Sequence, residues 1–370
     1  MAIVTLGIDL AKNVFAVHGV DATGKATLVR PSVPRGKLLE LVASLPPCLI
    51  GIEACSGAHH WARLFQAYGH TVRLMAPKFV TPYRLSGKTG KNDAADAAAI
   101  CEAVTRPSMR FVPPKSLQQQ SELLVHRARQ GFVQQRTATI NRIRGLLSEF
   151  GIVLPLKAAT VRREALHHLE DLPGWTNTVI GDLLSEVSRL DERIAQYDQH
   201  IGQIAKQSAP AKQLMQLPGI GPTTATALVA MIGAGREFKC GRQLSAWLGL
   251  VPGQYSSGGK QRLGRITKAG DPYLRMLLIL GARSVLQCAK GRTSRSRFGS
   301  RPPIHDRFGK LTVARMSLAW RCRMRSKAST PGSARAGVGS GSFHRRLWAL
   351  TRDLAWCAGT TSMKSACSAR

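Results

Sequence analysis

Four carboxylates, Asp9, Glu53, Asp93 and Asp96, have the types and spacing for metal-dependent chemistry. Acid is scarce around them, since residues 1–110 hold only seven carboxylates. Asp93 and Asp96 stand three apart, which on a helix places them on one face. Asp9 and Glu53 each fall at the end of a short apolar run that reads as a strand. Brought together, four carboxylates would repel one another and resist ionisation unless a hard cation neutralised them. Two Mg²⁺ ions would do so, and such a pair can clamp the attacking and leaving oxygens of a phosphodiester. The plainer alternative makes Asp9 a turn or cap residue and Asp96 part of a solvated helix face. The order strand-end Asp, strand-end Glu, helical Asp-x-x-Asp favours the metal-binding set.

A second constellation runs from Leu248 to Lys260 and continues through Arg262, Arg265, Lys268 and Arg275. It places the flexible stretch Ser256-Ser257-Gly258-Gly259 among five positive charges. A serine hydroxyl there could reach a phosphate whose charge the cations offset. Ser-Ser-Gly-Gly is also ordinary loop composition, so the residues alone leave both readings open. Upstream, Leu217-Pro218-Gly219-Ile220-Gly221-Pro222-Thr223-Thr224-Ala225 has the pattern of a helix-hairpin-helix. Gly219, Gly221 and Thr223 would then present backbone N–H groups to a phosphate without reading bases. A glycine-rich turn between two packed helices is the alternative.

The charge supports a polyanionic partner. The formal net charge is +32, and it is unevenly spread. Residues 1–110 carry thirteen cations against seven anions, and residues 111–209 twelve against ten. Residues 210–290 carry eleven against two, and residues 291–370 seventeen against two. A one-sided excess of this kind is the electrostatic footprint of nucleic acid rather than of solubility alone. The eight cysteines include no Cys-x-x-Cys pair and read as free thiols of a reducing compartment. His59 and His60 would diverge on a helix and are given no metal role. Asp9 and Lys12 interrupt the N-terminal apolar stretch, so no leader peptide is expected. The apolar patch at Met276–Leu280 is too short to span a membrane. The expectation is a soluble, cytoplasmic protein.

Elements that would position these residues can be read in order. Val4, Leu6, Ile8 and Leu10 alternate onto one face, leaving Asp9 on the other. Asn13–Val20 reads as a second strand, and Asp21-Ala22-Thr23-Gly24 as a hairpin turn into a third. A helix around Gly36–Ser44, a central strand Cys48–Ile52, a helix after Gly57, a strand Thr71–Met75 and a helix from near Asn92 follow. That order predicts an α/β RNase H-like domain over 1–110. Residues 111–209 read as helical. Ile180, Leu183, Val187, Leu190, Ile194, Tyr197, Ile201 and Ile204 repeat at alternating spacings of three and four, a coiled-coil seam suited to dimerisation. An antiparallel helical hairpin within the chain is the alternative. Residues 210–290 read as a small, mainly α domain with the helix-hairpin-helix and the serine loop. The stretch 291–370 is an irregular basic tail. It is either a cationic arm or peptide translated out of its ancestral frame, and Trp320, Trp348 and Trp356 favour the second.

The motifs Gly7–Lys12, Ile52–Ala54, Lys91–Ala97, Leu217–Ala225 and Leu248–Gly258 closely resemble those of the insertion-sequence transposases of the one-ten/eleven-eleven type, called DEDD transposases. The resemblance covers about residues 1–290 and joins two unrelated domains in one order. It implies that the RNase H-like domain is RuvC-type, that Asp9, Glu53, Asp93 and Asp96 are the metal-binding tetrad and that Ser257 is the nucleophile, with Ser256 the less favoured neighbour. It further implies a covalent phosphoserine link to a DNA 5′ end, a structured guide RNA from the element's flank, and a homo-oligomer that joins the tetrad of one subunit to the serine of another. The tail lacks the closing helices and the Asn-Lys-Ala motif of that family. Two rival readings remain, a junction-resolving nuclease that uses water and a non-catalytic nucleic-acid-binding remnant. An actin-like ATPase also opens with a Gly-Ile-Asp strand, but no later Gly-rich nucleotide loop follows here.

Overall fold

The computed structural model describes residues 2–84, 92–155, 157–169 and 172–293. Lys91 of the matched motif and the tail beyond 293 lie outside the described residues. Two compact units meet in sequence between Ser121 and Glu122.

The first unit is a mixed sheet with helices on both faces. Strands β1 (Thr5–Leu10), β2 (Val14–Val20) and β3 (Ala26–Pro34) lead into α1 (Arg35–Ala43). Then come β4 (Leu49–Glu53), α2 (Ala58–Ala67), β5 (Thr71–Met75) and the single turn α3 (Pro77–Val80) with a 3-10 turn at Thr81–Tyr83. Helix α4 (Asp93–Val104) and the short β6 (Phe111–Val112) complete it. The spatial order is β3-β2-β1-β4-β5-β6. β1, β4 and β5 run parallel, and the remaining pairings are antiparallel. This mixed architecture accords with an RNase H-like domain. Neither β6 nor the α3 turn was legible in the sequence, both being too short to show a period.

Leu6, Ile8, Ile50 and Ile52 face a core closed by Leu38, Val42, Trp61 and Phe65 from α1 and α2. The opposite face is not the solvated one that alternation suggests. Thr5 and Gly7 are buried as well, because α4 lies across β1, β2 and β4. Gly7 and Gly51 are partners in the β1–β4 ladder. A Cβ on Gly7 would fall 2.2 Å from the Ala97 carbonyl oxygen, and one on Gly51 2.8 Å from the Val104 Cβ. The alanine-rich helix therefore rests directly on the glycine pair. It carries Asp93 and Asp96 in its first turn, so this contact fixes their height above the strand ends.

The second unit begins within α5 (Leu117–Ser148) and continues with α6 (Ala158–His167) and α7 (Trp175–Gln207). Helices α8 (Ala209–Met215), α9 (Pro222–Ile232) and α10 (Gly241–Trp247) follow, then the hairpin β7 (Pro252–Gln254) and β8 (Leu263–Ile266), and α11 (Pro272–Thr293). The heptad seam of α7 closes within the chain. Phe132 meets Tyr197 edge-on, with ring centroids 5.3 Å apart. Arg129 Nε lies 2.6 Å from Asp198 Oδ1, and Arg136 Nη1 2.8 Å from Asp191 Oδ1. Ile140, Ile143 and Leu147 pack with Ile180, Leu184 and Val187. Rising numbers on α5 meet falling numbers on α7, which is an antiparallel hairpin. Leu184, rather than Leu183, is the buried member of that turn.

One buried polar junction ties four helices of this unit. His126 on α5 is 1% exposed. Its Nδ1 lies 3.1 Å from the Tyr273 hydroxyl and its Nε2 3.0 Å from the Thr226 hydroxyl. Arg129 beside it pairs with Asp198. Burial, reinforced by the Arg129 charge, holds His126 down at about 4. The unfolded chain therefore takes up this proton first, and the neutral residue's contribution is lost as pH falls from about 6.5 towards 4. At the lower limit the loss is about 3 kcal/mol. His59, held at about 4 chiefly by burial, adds to the same window. Melting temperature should thus fall between pH 6.5 and 4, and His126→Gln should flatten part of that slope while lowering stability at pH 7. An unchanged slope in the variant would contradict this assignment.

Candidate active site

Asp9 lies near the end of β1, opposite Ala16 of β2. Glu53 ends β4, opposite Met75. The two carboxylates act on a common neighbour. Burial raises the Cys55 thiol, and the negative charges of Asp9 and Glu53 raise it further. On the other side, Glu53 and Asp96 share one guanidinium. Arg84 Nε lies 2.7 Å from Asp96 Oδ1, and Arg84 Nη2 lies 3.6 Å from Glu53 Oε1. The Asp96 side chain is only 4% exposed. Asp9 and Glu53 thus share a thiol neighbour, and Glu53 and Asp96 a guanidinium, at the C-terminal ends of the central strands β1 and β4, with Asp93 exposed on the same helical turn as Asp96.

Local sequence explains how α4 delivers these groups. The Asn92 side chain accepts hydrogen bonds from the backbone N–H of Ala94 at 2.8 Å and Ala95 at 3.2 Å. This cap satisfies donors that would otherwise be orphaned and starts the helix at Asp93. Carboxylates in a first turn also sit favourably at the positive end of the helix dipole.

Among the described residues, no group of three or more His, Cys, Asp and Glu side chains is gathered as a ready metal site. Arg84 instead pairs with both Glu53 and Asp96. The donor set nevertheless fits a hard cation. Asp96 Oδ1 is buried and receives no properly directed hydrogen bond, even though Arg84 Nε is only 2.7 Å away. The pair is thus a close charge contact without hydrogen-bond alignment. Oxygens of this kind are suitable ligands for Mg²⁺. Arg84 was not legible in the sequence, being one of thirteen cations in residues 1–110 with no motif to mark it.

The serine loop forms the tip of the β7–β8 hairpin. Ser257 and Lys260 are bridge partners around Gly258 and Gly259, whose φ values are +54° and +76°. Two successive positive φ angles are the requirement of a tight two-residue hairpin turn, which explains the glycine pair. The neighbouring serines differ. The Ser256 hydroxyl accepts from the Arg262 N–H at 3.1 Å and from the Gln254 side-chain amide at 3.0 Å. Ser257 is exposed at the turn, and its backbone carbonyl accepts from the Lys260 N–H. Tyr255 is 74% exposed and lies against Gly253 and Gly264 across the hairpin.

The cations named in the sequence divide in the same way. Lys260, Arg262, Arg265 and Lys268 are exposed. Arg275 is partly buried, and its Nη1 donates to the carbonyls of Leu248 and Gly270, both at 3.0 Å. That geometry braces the base of the hairpin. Gly219 has φ +83°, and a Cβ there would lie 2.7 Å from the Gly281 carbonyl oxygen of α11. Its place in the structure is thus a turn and a close helix approach. Gly221 caps α9 with open space beside it, and Thr223 is half-buried in the first turn.

A family model described as "Transposase" of the DEDD IS110 type matches residues 6–152. A second, described as "Transposase IS116/IS110/IS902 family", matches residues 211–298. A Pseudomonas aeruginosa protein named "Probable family 20 transposase" is 45% identical over 299 residues, covering 79% of this chain and 87% of that protein. The "Transposase for insertion sequence element IS1111A" of Coxiella burnetii is 40% identical, covering 78% and 80%. The "Transposase for insertion sequence element IS1328" of Yersinia enterocolitica is 39% identical, covering 76% and 84%.

Proposed function

The chain belongs to the IS116/IS110/IS902 family of insertion-sequence transposases, enzymes of DNA recombination, and from that premise we propose that it cuts and rejoins DNA through Ser257 with divalent metal held by the carboxylate tetrad. The observation that carries this reading is the gathering of strand-end Glu53 and helix-borne Asp96 around one cation. A DEDD-type domain points to divalent metal use in general, and Mg²⁺, as two ions, is the species proposed. Asp9, Glu53, Asp93 and Asp96 would hold the metal. Bound there, it would offset charge on the scissile phosphate and activate the attacking oxygen.

In this reading the Ser257 oxygen attacks phosphorus, forming an O–P bond as the bond to the 3′ oxygen breaks. The hydroxyl proton ends on that 3′ oxygen, and the DNA 5′ end remains on the protein as a phosphoserine. Reversal with a different 3′ hydroxyl rejoins the strand. Ser256 holds the hairpin in shape. Lys260, Arg262, Arg265 and Lys268 contact backbone phosphates, as do the Gly221 and Thr223 amides, which supplies affinity without base readout. Sequence choice is assigned to a flank-derived RNA paired with donor and target DNA, and the active species to a homo-oligomer. The tally of eleven cations against two anions in residues 210–290 suits such backbone contacts.

The direct test is cleavage of labelled element-junction DNA in the presence of flank RNA. Strand breakage should require Mg²⁺ or Mn²⁺ and be lost in Asp9→Asn and Asp96→Asn. Breakage that persists in EDTA, or in both variants, would contradict the tetrad's role.

A further inference from the structure

Arg84 is the one cation paired with two members of the tetrad among the ion pairs of the described residues. It follows the 3-10 turn at Thr81–Tyr83, and its side chain is 19% exposed. Its two partners are a carboxylate at 13% exposure and one at 4%. Arg84 supplies the positive charge that faces both of these acids at this depth. A divalent ion bound to the same carboxylates needs metal–oxygen distances of about 2.1 Å. Arg84 Nε already stands 2.7 Å from Asp96 Oδ1. Both cations cannot occupy that space, and close together they would repel each other.

We propose that Arg84 is an exchangeable internal counter-ion: it holds Glu53 and Asp96 in place while the site lacks metal, and gives them up when a divalent ion binds. The inference rests on the metal-binding reading of the tetrad. The misaligned contact supports exchange, because a buried ion pair without directed hydrogen bonds is weaker than a bidentate one. Arg84 is therefore a positioning residue whose pairing and metal binding are linked equilibria. Removing it should strengthen metal binding, whereas loss of a purely structural brace would weaken it.

The test is Mn²⁺ titration of the full-length protein by calorimetry, with electron paramagnetic resonance of free Mn²⁺ as a check. Arg84→Gln should bind Mn²⁺ roughly tenfold more tightly than the unsubstituted protein. It should also melt lower without metal and gain more from Mn²⁺. Arg84→Lys keeps the charge and should stay near the original affinity. Equal or weaker binding by Arg84→Gln overturns the inference while leaving the tetrad reading intact. Absence of binding in the unsubstituted protein, matched by Asp96→Asn, removes the tetrad reading and the inference with it. A second measurement needs no glutamine variant. The Arg84 side-chain N–H resonance, assigned with Arg84→Lys, should shift with the midpoint of a Mg²⁺ titration, and a resonance indifferent to saturating Mg²⁺ would overturn the exchange.

Discussion

Alanine at Ser257 should abolish strand transfer, while alanine at Ser256 should only weaken it. Loss of a nucleophile typically costs roughly 10⁴-fold or more in rate, because no other group takes over the bond-forming step. Ser256 accepts two hydrogen bonds that shape the hairpin. Each is worth about 1 kcal/mol, so its removal should slow the reaction by no more than about tenfold to thirtyfold. The contrast is informative because the two serines are adjacent, similarly exposed and share the same charge environment. Rates from supercoiled element-junction DNA, with hairpin integrity followed by circular dichroism, would measure both effects. The opposite order of effects would move the nucleophile to Ser256.

Gly7→Ala should disable the protein from a position that bears no reactive group. The added methyl would fall 2.2 Å from the Ala97 carbonyl oxygen and 2.5 Å from the Cys101 backbone nitrogen. Both neighbours are backbone atoms in the middle of α4, so no side-chain rotation relieves the overlap. Overpacking of this kind costs about 1–3 kcal/mol, and contact with backbone places it at the upper end. The chemical consequence is larger. α4 must lift from β1, carrying Asp93 and Asp96 away from Asp9 and Glu53, and a displacement of about 1 Å can cost roughly 10²-fold in rate. Gly36→Ala is the control, since a Cβ there meets nothing within 4 Å and alanine is the better helix former. Melting curves and cleavage rates should separate the two. A Gly7→Ala protein with the original melting temperature and rate would mean that α4 does not rest on the sheet as described.

The parts of the first unit that were legible in the sequence are those that repeat with a short period. Thr71–Met75 has the same bounds in the structure as in the sequence reading, and the helix expected near Asn92 begins at Asp93 under an Asn92 cap. The apolar run before Glu53 placed that residue at a strand end because a strand buried on both faces has no polar alternation to blur it. What was not legible depends on contacts between elements distant in sequence. Nothing in Gly7-Ile8-Asp9 reveals that the glycine is a landing point for a helix some ninety residues later. Arg84 carries no local signal, because its meaning comes from two acids on other elements. The seam on α7 shows its period plainly, but a seam does not state its partner, and here α5 of the same chain supplies it. Arg275 and Arg265 look alike in sequence, yet one is tied to two carbonyls and the other is exposed.

The most direct test of the central claim is to trap the covalent intermediate and find the residue that carries it. Protein, labelled element-junction DNA, flank RNA and Mg²⁺ would be mixed, denatured in detergent and digested, and the DNA-bearing peptide identified by mass spectrometry. A 5′-phosphodeoxynucleotide attached to Ser257, absent in Ser257→Ala and in Asp9→Ala, is the predicted result. Cleaved DNA with a free 5′ phosphate and no modified serine would contradict the serine mechanism and leave a water-using nuclease in its place.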